Sequence, residues 1–86
     1  MGPPQWSDMG MWLQTVMLLL REAGLDSCSQ EIWAMYGTHM RELLGISDDY
    51  IFFCGMAIGH RDPGAPINNF EVPRVPISDA IEFRGF

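Results

Sequence analysis

The densest apolar pattern lies between residues 9 and 23, where hydrophobic side chains occupy nearly every face of a helical projection. The apolar positions are Met11, Leu13, Val16, Met17, Leu18, Leu19 and Leu20. Asp8, or Ser7 before it, is a suitable N-cap, and Gly24 stands where a left-handed residue commonly ends a helix. The pattern predicts a helix over 9–23 that is apolar all round, and such a helix is normally enclosed on every side.

Two shorter helices are predicted after this long one. Ser27 and Gln30 have the spacing of a capping box, in which two side chains satisfy backbone N–H groups at a helix start. Apolar residues then follow at helical spacing, namely Ile32, Met35 and Tyr36. Gly37 interrupts this pattern, and Thr38 is a candidate cap for a second short helix that Gly45 closes.

A continuous apolar run, YIFFCGMAI, occupies residues 50–58 after a predicted turn at 47–49. Such a run, rich in residues that favour β-structure, is typical of a strand buried on both faces. Gly55 within the run indicates a bulge or a close backbone approach. A lone strand cannot satisfy its own backbone groups, so this run is expected to join a sheet whose other strands are made elsewhere.

The C-terminal part of the chain, residues 60–86, is predicted to be an extended arm. Prolines punctuate it and exclude regular helix; they are Pro63, Pro66, Pro73 and Pro76. Asn68 and Asn69 indicate a turn, and the pair Ser78 and Asp79 predicts a single helical turn. Residues 81–83 are a candidate terminal strand.

The amount of apolar sequence is large for the length of the chain. Hydrophobic residues make up 48% of the 86 positions and include three Trp, five Phe and seven Met. A chain of this size buries only about 60% of the surface that its unfolded form exposes. A well-packed small core is one explanation. Coverage by a partner subunit or by further chain is favoured over it, because the apolar positions do not fall on one face.

Charge and cysteine usage narrow the class of protein further. The net charge is −6, with five arginines and no lysine, so a nucleic-acid phosphate backbone is not an expected partner. The longest apolar stretch is shorter than the roughly 20 residues of a membrane span, and the N-terminal residues do not have the pattern of a signal peptide. Cys28 and Cys54 lack metal-ligand spacing and are expected to be reduced thiols. A soluble, cytoplasmic protein without a metal site is therefore expected.

Three separated segments carry a family resemblance, in the same order along the chain. They are GMWLQTVMLLLREAGLDSC, YIFFCGMAIGHRDPGAPIN and RVPISDAIEFRGF. Over about residues 5–86 the chain resembles the C-terminal part of the flavin-dependent nitroreductases. Members of that family are longer and carry an Arg-rich N-terminal segment that has no counterpart here. The resemblance therefore implies that residues 1–86 form a partial nitroreductase domain without its N-terminal half.

The resemblance also implies a fold and an assembly. The expected fold class is α+β, with a long buried helix, shorter helices, one strand and the extended C-terminal arm. In this family the long helix lies in the core of an intertwined homodimer, and the arm crosses onto the other subunit. A homodimer, or the missing N-terminal half, would then cover the apolar helix.

Four residues match the flavin-binding positions of the family. Ser29, Gln30 and Glu31 correspond to residues near the reactive N5 nitrogen of FMN, at a predicted helix N-terminus whose dipole would stabilise arriving electron density. Arg74 corresponds to the arginine on the flavin phosphate, which a guanidinium can bind in bidentate fashion. The alternatives are ordinary helix-capping residues and a solvated arginine between two prolines. No side chain is expected to act as a catalytic acid or base.

The function that the resemblance implies is an FMN-dependent oxidoreductase. It would pass hydride from NADPH or NADH, through the flavin, to a nitroaromatic or quinone-like acceptor. The alternative is a non-catalytic dimerisation module that has lost flavin binding. A helix-turn-helix DNA-binding protein is disfavoured by the acidic charge.

Overall fold

The computed structural model describes residues 2–86, and Met1 lies outside the described part. The elements run in the order α1 (Pro3–Glu22), β1 (Asp26–Gln30), a 3-10 helix (Glu31–Tyr36), α2 (Gly37–Leu44), β2 (Gly55–Gly59), a second 3-10 helix (Pro66–Asn69) and α3 (Ile77–Ala80). Helices accompany one small antiparallel sheet, so the predicted α+β class is confirmed.

Helix α1 begins earlier than the apolar pattern predicts. Pro3 and Pro4 occupy its first positions, where a residue without an N–H loses no helical hydrogen bond. The side-chain oxygen of Gln5 accepts a hydrogen bond of 2.9 Å from the N–H of Gly2. The prediction that Ser7 or Asp8 caps the helix is therefore wrong, because both residues lie within it.

Helix α1 ends where the sequence predicts. Gly24 has a φ of +82°, the left-handed conformation that favours glycine. The N–H of Leu25 donates to the carbonyl of Leu20 at 2.9 Å, and that of Gly24 donates to Arg21 at 3.0 Å. These two bonds are the Schellman arrangement, and they turn the chain into β1.

The two strands pair with each other, which corrects two predictions. Ser27 and Gln30 lie in β1, so they do not form a helical capping box. β1 runs antiparallel to β2, with Asp26 opposite Gly59 and Gln30 opposite Gly55. The apolar run therefore finds a partner strand within the chain, which the sequence analysis placed elsewhere. Only the last part of the apolar run is strand. β2 covers Gly55–Gly59, the residues that face β1.

The shorter helices follow the sequence signals in part. The first short helix ends before Gly37 as predicted, and α2 begins at Gly37. The prediction that Thr38 caps α2 is wrong, because Thr38 lies inside the helix and Tyr36 is in the capping position. Gly45 ends α2 as predicted. The turn at 47–49 is present, since the N–H of the residue that follows it donates to the carbonyl of Ser47.

The arm has little regular structure, as its prolines predict. The Asn68–Asn69 turn is the second 3-10 helix, and α3 is the single helical turn expected near Ser78. The side-chain amide of Asn68 donates to the carbonyl of Asp62 at 2.7 Å and fixes the bend that starts the arm. The strand predicted over 81–83 is absent from the described chain.

The chain has no interior of its own among residues 2–86, where no side chain is buried. The radius of gyration is 17.0 Å, whereas a compact chain of this length has about 12 Å. On α1, Leu18 and Leu19 are 61% and 58% exposed, and on β2 Ile58 is 56% exposed. The strand predicted to be buried on both faces is therefore not enclosed by this chain.

Among residues 2–86, no helix combines the length and the apolar character that a membrane-spanning segment requires.

Candidate functional site

Three of the four predicted flavin-site residues are consecutive and lie where β1 ends. Ser29 faces Met56 across the sheet and Gln30 faces Gly55. Glu31 is the first residue of the 3-10 helix. The helix N-terminus predicted here is therefore a strand end followed by a short 3-10 helix, and the argument from an α-helix dipole no longer applies.

Gln30 is held by a tryptophan that sequence analysis did not single out. The indole N–H of Trp33 donates a hydrogen bond of 2.9 Å to the side-chain oxygen of Gln30. The same indole lies over Gly55, where an added Cβ would stand 2.8 Å from the ring carbon Cδ1. The predicted close approach at Gly55 is confirmed, and the group that approaches is Trp33.

Arg74 lies on the arm and is exposed. Within residues 2–86 the side chains of Arg74 and Arg61 make no hydrogen bond and no ion pair, whereas Arg21, Arg41 and Arg84 each face a carboxylate. No hydrogen bond or ion pair joins the Arg74 side chain to Ser29, Gln30 or Glu31 within residues 2–86, and its guanidinium is open to another partner.

A carboxylate fixes the opposite end of the two-stranded sheet. Asp26 accepts a hydrogen bond of 2.7 Å from the guanidinium of Arg21 and one of 3.1 Å from the backbone N–H of Arg61. The bond from the Arg61 N–H, with the positive charge of Arg21, lowers the pKa of Asp26 below its ordinary value. Asp26 thereby connects the end of α1, the start of β1 and the segment that follows β2.

We expect Asp26→Asn to weaken the sheet at neutral pH, because an amide cannot accept both bonds as a charged group does. The lowered pKa means that the wild-type stabilisation is complete above about pH 4 and is lost as pH falls through the folded-state value. Backbone amide exchange of β1, measured from pH 2 to 7, should show this loss in the wild type and not in the variant. Asp8→Asn is the matched control, since the side chain of Asp8, on the surface of α1, makes no hydrogen bond and no ion pair in the described part. Identical pH profiles for wild type and Asp26→Asn would contradict the expectation.

Two grooves accompany these residues. One, of about 270 Å³, runs beside the Asp26 end of the sheet. Its lining is Asp26, Ser27, Cys28, Ala57, Ile58, Gly59, His60, Arg61 and Asn68. The other, of about 260 Å³, is mainly apolar and lies between α1 and the irregular segment before β2. Its lining is Met9, Trp12, Leu13, Ile46, Tyr50, Ile51, Phe52, Phe53 and Cys54.

The chemistry of these residues is that of binding and orientation. Both cysteines are free. Within the described residues no three acidic, histidine or cysteine side chains gather as metal ligands do. The end of β1 instead offers an amide in a fixed position, and the arm offers an unpaired guanidinium. An amide can bind the acceptor atoms of a planar ring, and a guanidinium can bind a phosphate.

Sequence reasoning missed Trp33 and Asp26 as parts of this arrangement. Gly55 was the one usable signal for Trp33, because a glycine inside an apolar strand often marks a close contact. For Asp26, the signal was Arg21 on the other side of the Gly24 turn. A Schellman turn folds the chain back and brings such a pair together.

One family model matches most of this chain. A model of that family, described as "Nitroreductase family", matches residues 3–60, which is more than half of the sequence. The chain therefore belongs to the nitroreductase family, and the family resemblance predicted from the sequence is confirmed.

Relatives of this chain are named as reductases of nitroaromatic compounds. The chain is 35% identical over 81 residues to a 4-nitrobenzoate reductase of Pseudomonas putida, covering 94% of this chain and 36% of that protein. It is 31% identical over 74 residues to a nitrobenzene nitroreductase of Ectopseudomonas oleovorans, covering 86% and 33%. The chain thus spans about a third of the length of the relatives that it matches.

A solved structure agrees in fold along the whole chain. The FMN and NADPH-dependent nitroreductase NfnB from Sphigopyxis sp. strain HMH is 62% identical and superposes with a TM-score of 0.95. The match covers 100% of this chain and 39% of that one. The arrangement of helices and strands described above is therefore one that occurs inside a larger nitroreductase subunit.

Proposed function

We propose that this chain is part of a flavin-dependent oxidoreductase of the nitroreductase type. The enzyme would take hydride from NADPH or NADH and pass it to a nitroaromatic or quinone-like acceptor. Family membership supports this proposal, and so do the names of the relatives, which are nitrobenzoate and nitrobenzene reductases. The 62% identity to a protein described as FMN and NADPH-dependent favours FMN as the cofactor.

The residues present are suited to FMN. Arg74 would hold the phosphate, since its guanidinium has no other partner in the described chain and the flanking Pro73 and Pro76 restrict the arm. Ser29, Gln30 and Glu31 would contact the flavin ring from the end of β1. Bound FMN supplies the hydride chemistry itself, and the side chains bind and orient it. The match of the nitroreductase family model to residues 3–60 is the single observation that carries this proposal.

A partner is part of the proposal. The exposed apolar side chains of α1 and the extended arm both need a surface to lie against. We place α1 in the core of an intertwined homodimer, with the arm of one subunit carrying Arg74 to flavin-binding residues of the other. A further segment of the same protein could cover part of the same surface.

The location is also part of the proposal. Free thiols at both cysteines fit a reducing compartment, so we propose that the protein is cytoplasmic.

The test is FMN binding by the purified chain. Titration of FMN should quench flavin fluorescence, and the flavin absorbance should coelute with a species of twice the chain's mass in size-exclusion chromatography with light scattering. NADPH oxidation should then depend on added 4-nitrobenzoate. Failure to bind FMN at concentrations where the chain is oligomeric would contradict the proposal for this chain.

The second candidate, a non-catalytic dimerisation module, is favoured by one observation. The apolar surface of α1 requires cover whether or not a flavin is bound. A stable, colourless oligomer that takes up no FMN would support this candidate. A yellow dimer that oxidises NADPH would exclude it.

A further inference from the structure

We propose that Trp33 is a positioning residue that fixes the side-chain amide of Gln30 as a hydrogen-bond donor to a ring heteroatom of the flavin. This inference rests on the function proposed above. It starts from the 2.9 Å bond between the indole N–H of Trp33 and the side-chain oxygen of Gln30.

The indole determines which way the amide faces. A tryptophan N–H can only donate, whereas a glutamine amide has one oxygen that accepts and an NH₂ group that donates. The oxygen of Gln30 must therefore face Trp33. The NH₂ group then points away from the indole and has no partner among residues 2–86. An amide without such a neighbour could present either atom to a ligand.

The sheet and the 3-10 helix hold this pair from below. The backbone of Gln30 is paired with Gly55 in the sheet, and Trp33 follows three residues later in the 3-10 helix. The indole lies over Gly55 so closely that a Cβ there would stand 2.8 Å from its ring. Trp33 is thus held on one side by the β2 backbone and on the other by the Gln30 oxygen.

The donor that results has a defined use. The ring system of a flavin carries nitrogen and oxygen atoms that accept hydrogen bonds, and donors placed beside them favour negative charge arriving on the ring. A fixed NH₂ group at the end of β1, beside Glu31, offers such a donor without the cost of ordering a free side chain on binding. Loss of Trp33's N–H should therefore weaken FMN binding and make the bound flavin harder to reduce.

A double-mutant cycle tests whether Trp33 acts through Gln30. Trp33→Phe keeps an aromatic ring over Gly55 and removes the N–H, and we expect it to raise the FMN Kd about two- to tenfold. Gln30→Leu should raise the Kd at least as much. The double variant should bind like Gln30→Leu alone, because the amide through which Trp33 acts is then gone.

Tyr36→Phe is the control, since the Tyr36 side chain lies on the same 3-10 helix, is exposed and makes no hydrogen bond in the described part. It should leave the Kd within twofold of the wild type. Two results would overturn the inference: a Trp33→Phe Kd equal to that of the control, or losses from the two single changes that multiply in the double variant.

A measurement without flavin separates this inference from the proposed function. Solvent exchange of the Trp33 indole N–H, followed by NMR on the full chain, should be about two- to tenfold faster in Gln30→Leu than in the wild type. If the wild type binds no FMN, the proposed function fails, and the flavin fails as the ligand of Gln30. Equal exchange at Trp33 in the wild type and in Gln30→Leu, in a chain that does bind FMN, would overturn the positioning role alone.

Discussion

Arg74→Gln is expected to weaken FMN binding about 10- to 100-fold, because a hydrogen bond to a charged group is worth roughly 1.5–3 kcal/mol. The guanidinium is exposed and has no protein partner in the described chain, so its removal should cost affinity without disturbing local structure. The Kd from flavin-fluorescence titration is the measurement. Arg74→Lys should recover part of the loss, since an ammonium keeps the charge but cannot bind a phosphate in bidentate fashion.

Arg84→Gln is the control for this experiment, because Arg84 lies on the same arm but is paired with Glu82 at 2.9 Å. Its Kd should stay close to that of the wild type. Raising the salt concentration should weaken the wild type more than Arg74→Gln, as expected when a phosphate contact is lost. Equal affinities of the two variants would remove Arg74 from the proposed site.

Gly55→Ala is expected to lower the free energy of unfolding of the assembled protein by about 1–3 kcal/mol, the usual cost of overpacking. The new Cβ would stand 2.8 Å from Cδ1 of Trp33, a contact that side chains do not sustain. The ring must therefore move, and its bond to Gln30 should break. Chemical denaturation reports the first effect, and solvent exchange of the Trp33 indole reports the second.

Gly59→Ala provides the matched control at the other end of the same strand. A Cβ at Gly59 meets nothing within 4 Å, so the substitution should change stability by less than about 0.5 kcal/mol. Both variants add one methyl group to β2. They differ in whether the Trp33 ring lies beside the new Cβ. Similar destabilisation by both would mean that the Trp33 contact does not determine the effect at Gly55.

The elements that could be predicted from sequence are those determined by local chemistry. The end of α1 at Gly24 and the end of α2 at Gly45 follow from the left-handed conformation that favours glycine, and both have positive φ angles. The prolines of the arm likewise exclude long helices without reference to the rest of the chain. The helical turn near Ser78 belongs to the same group.

β1 could not be predicted, because its formation depends on residues far along the chain. Its sequence, DSCSQ, lacks β-branched and aromatic residues, and its serines carry a local signal for helix capping. Pairing with β2, which lies 29 residues beyond Asp26, overrides that signal. The same pairing limits β2 to Gly55–Gly59, whereas the apolar run predicts a longer strand.

The candidate site likewise combines residues that the sequence could indicate with contacts that it could not. The positions of Ser29, Gln30, Glu31 and Arg74 came from the family resemblance, and their roles stay predictions until FMN binding is measured. The contact between Trp33 and Gly55 brings together two residues that are 22 positions apart, and only the sequence signal of Gly55 was available for it. The bonds of Asp26 to two arginines likewise depend on three segments meeting.

If a second subunit covers the side chains that residues 2–86 leave exposed, as proposed above, folding is linked to mass action. A protein whose apolar surface is covered only on association becomes more stable as its own concentration rises. Newly made copies would then be the most vulnerable to proteolysis, before enough of them have accumulated to meet. Expression level, rather than sequence alone, would set how many intact molecules a cell contains.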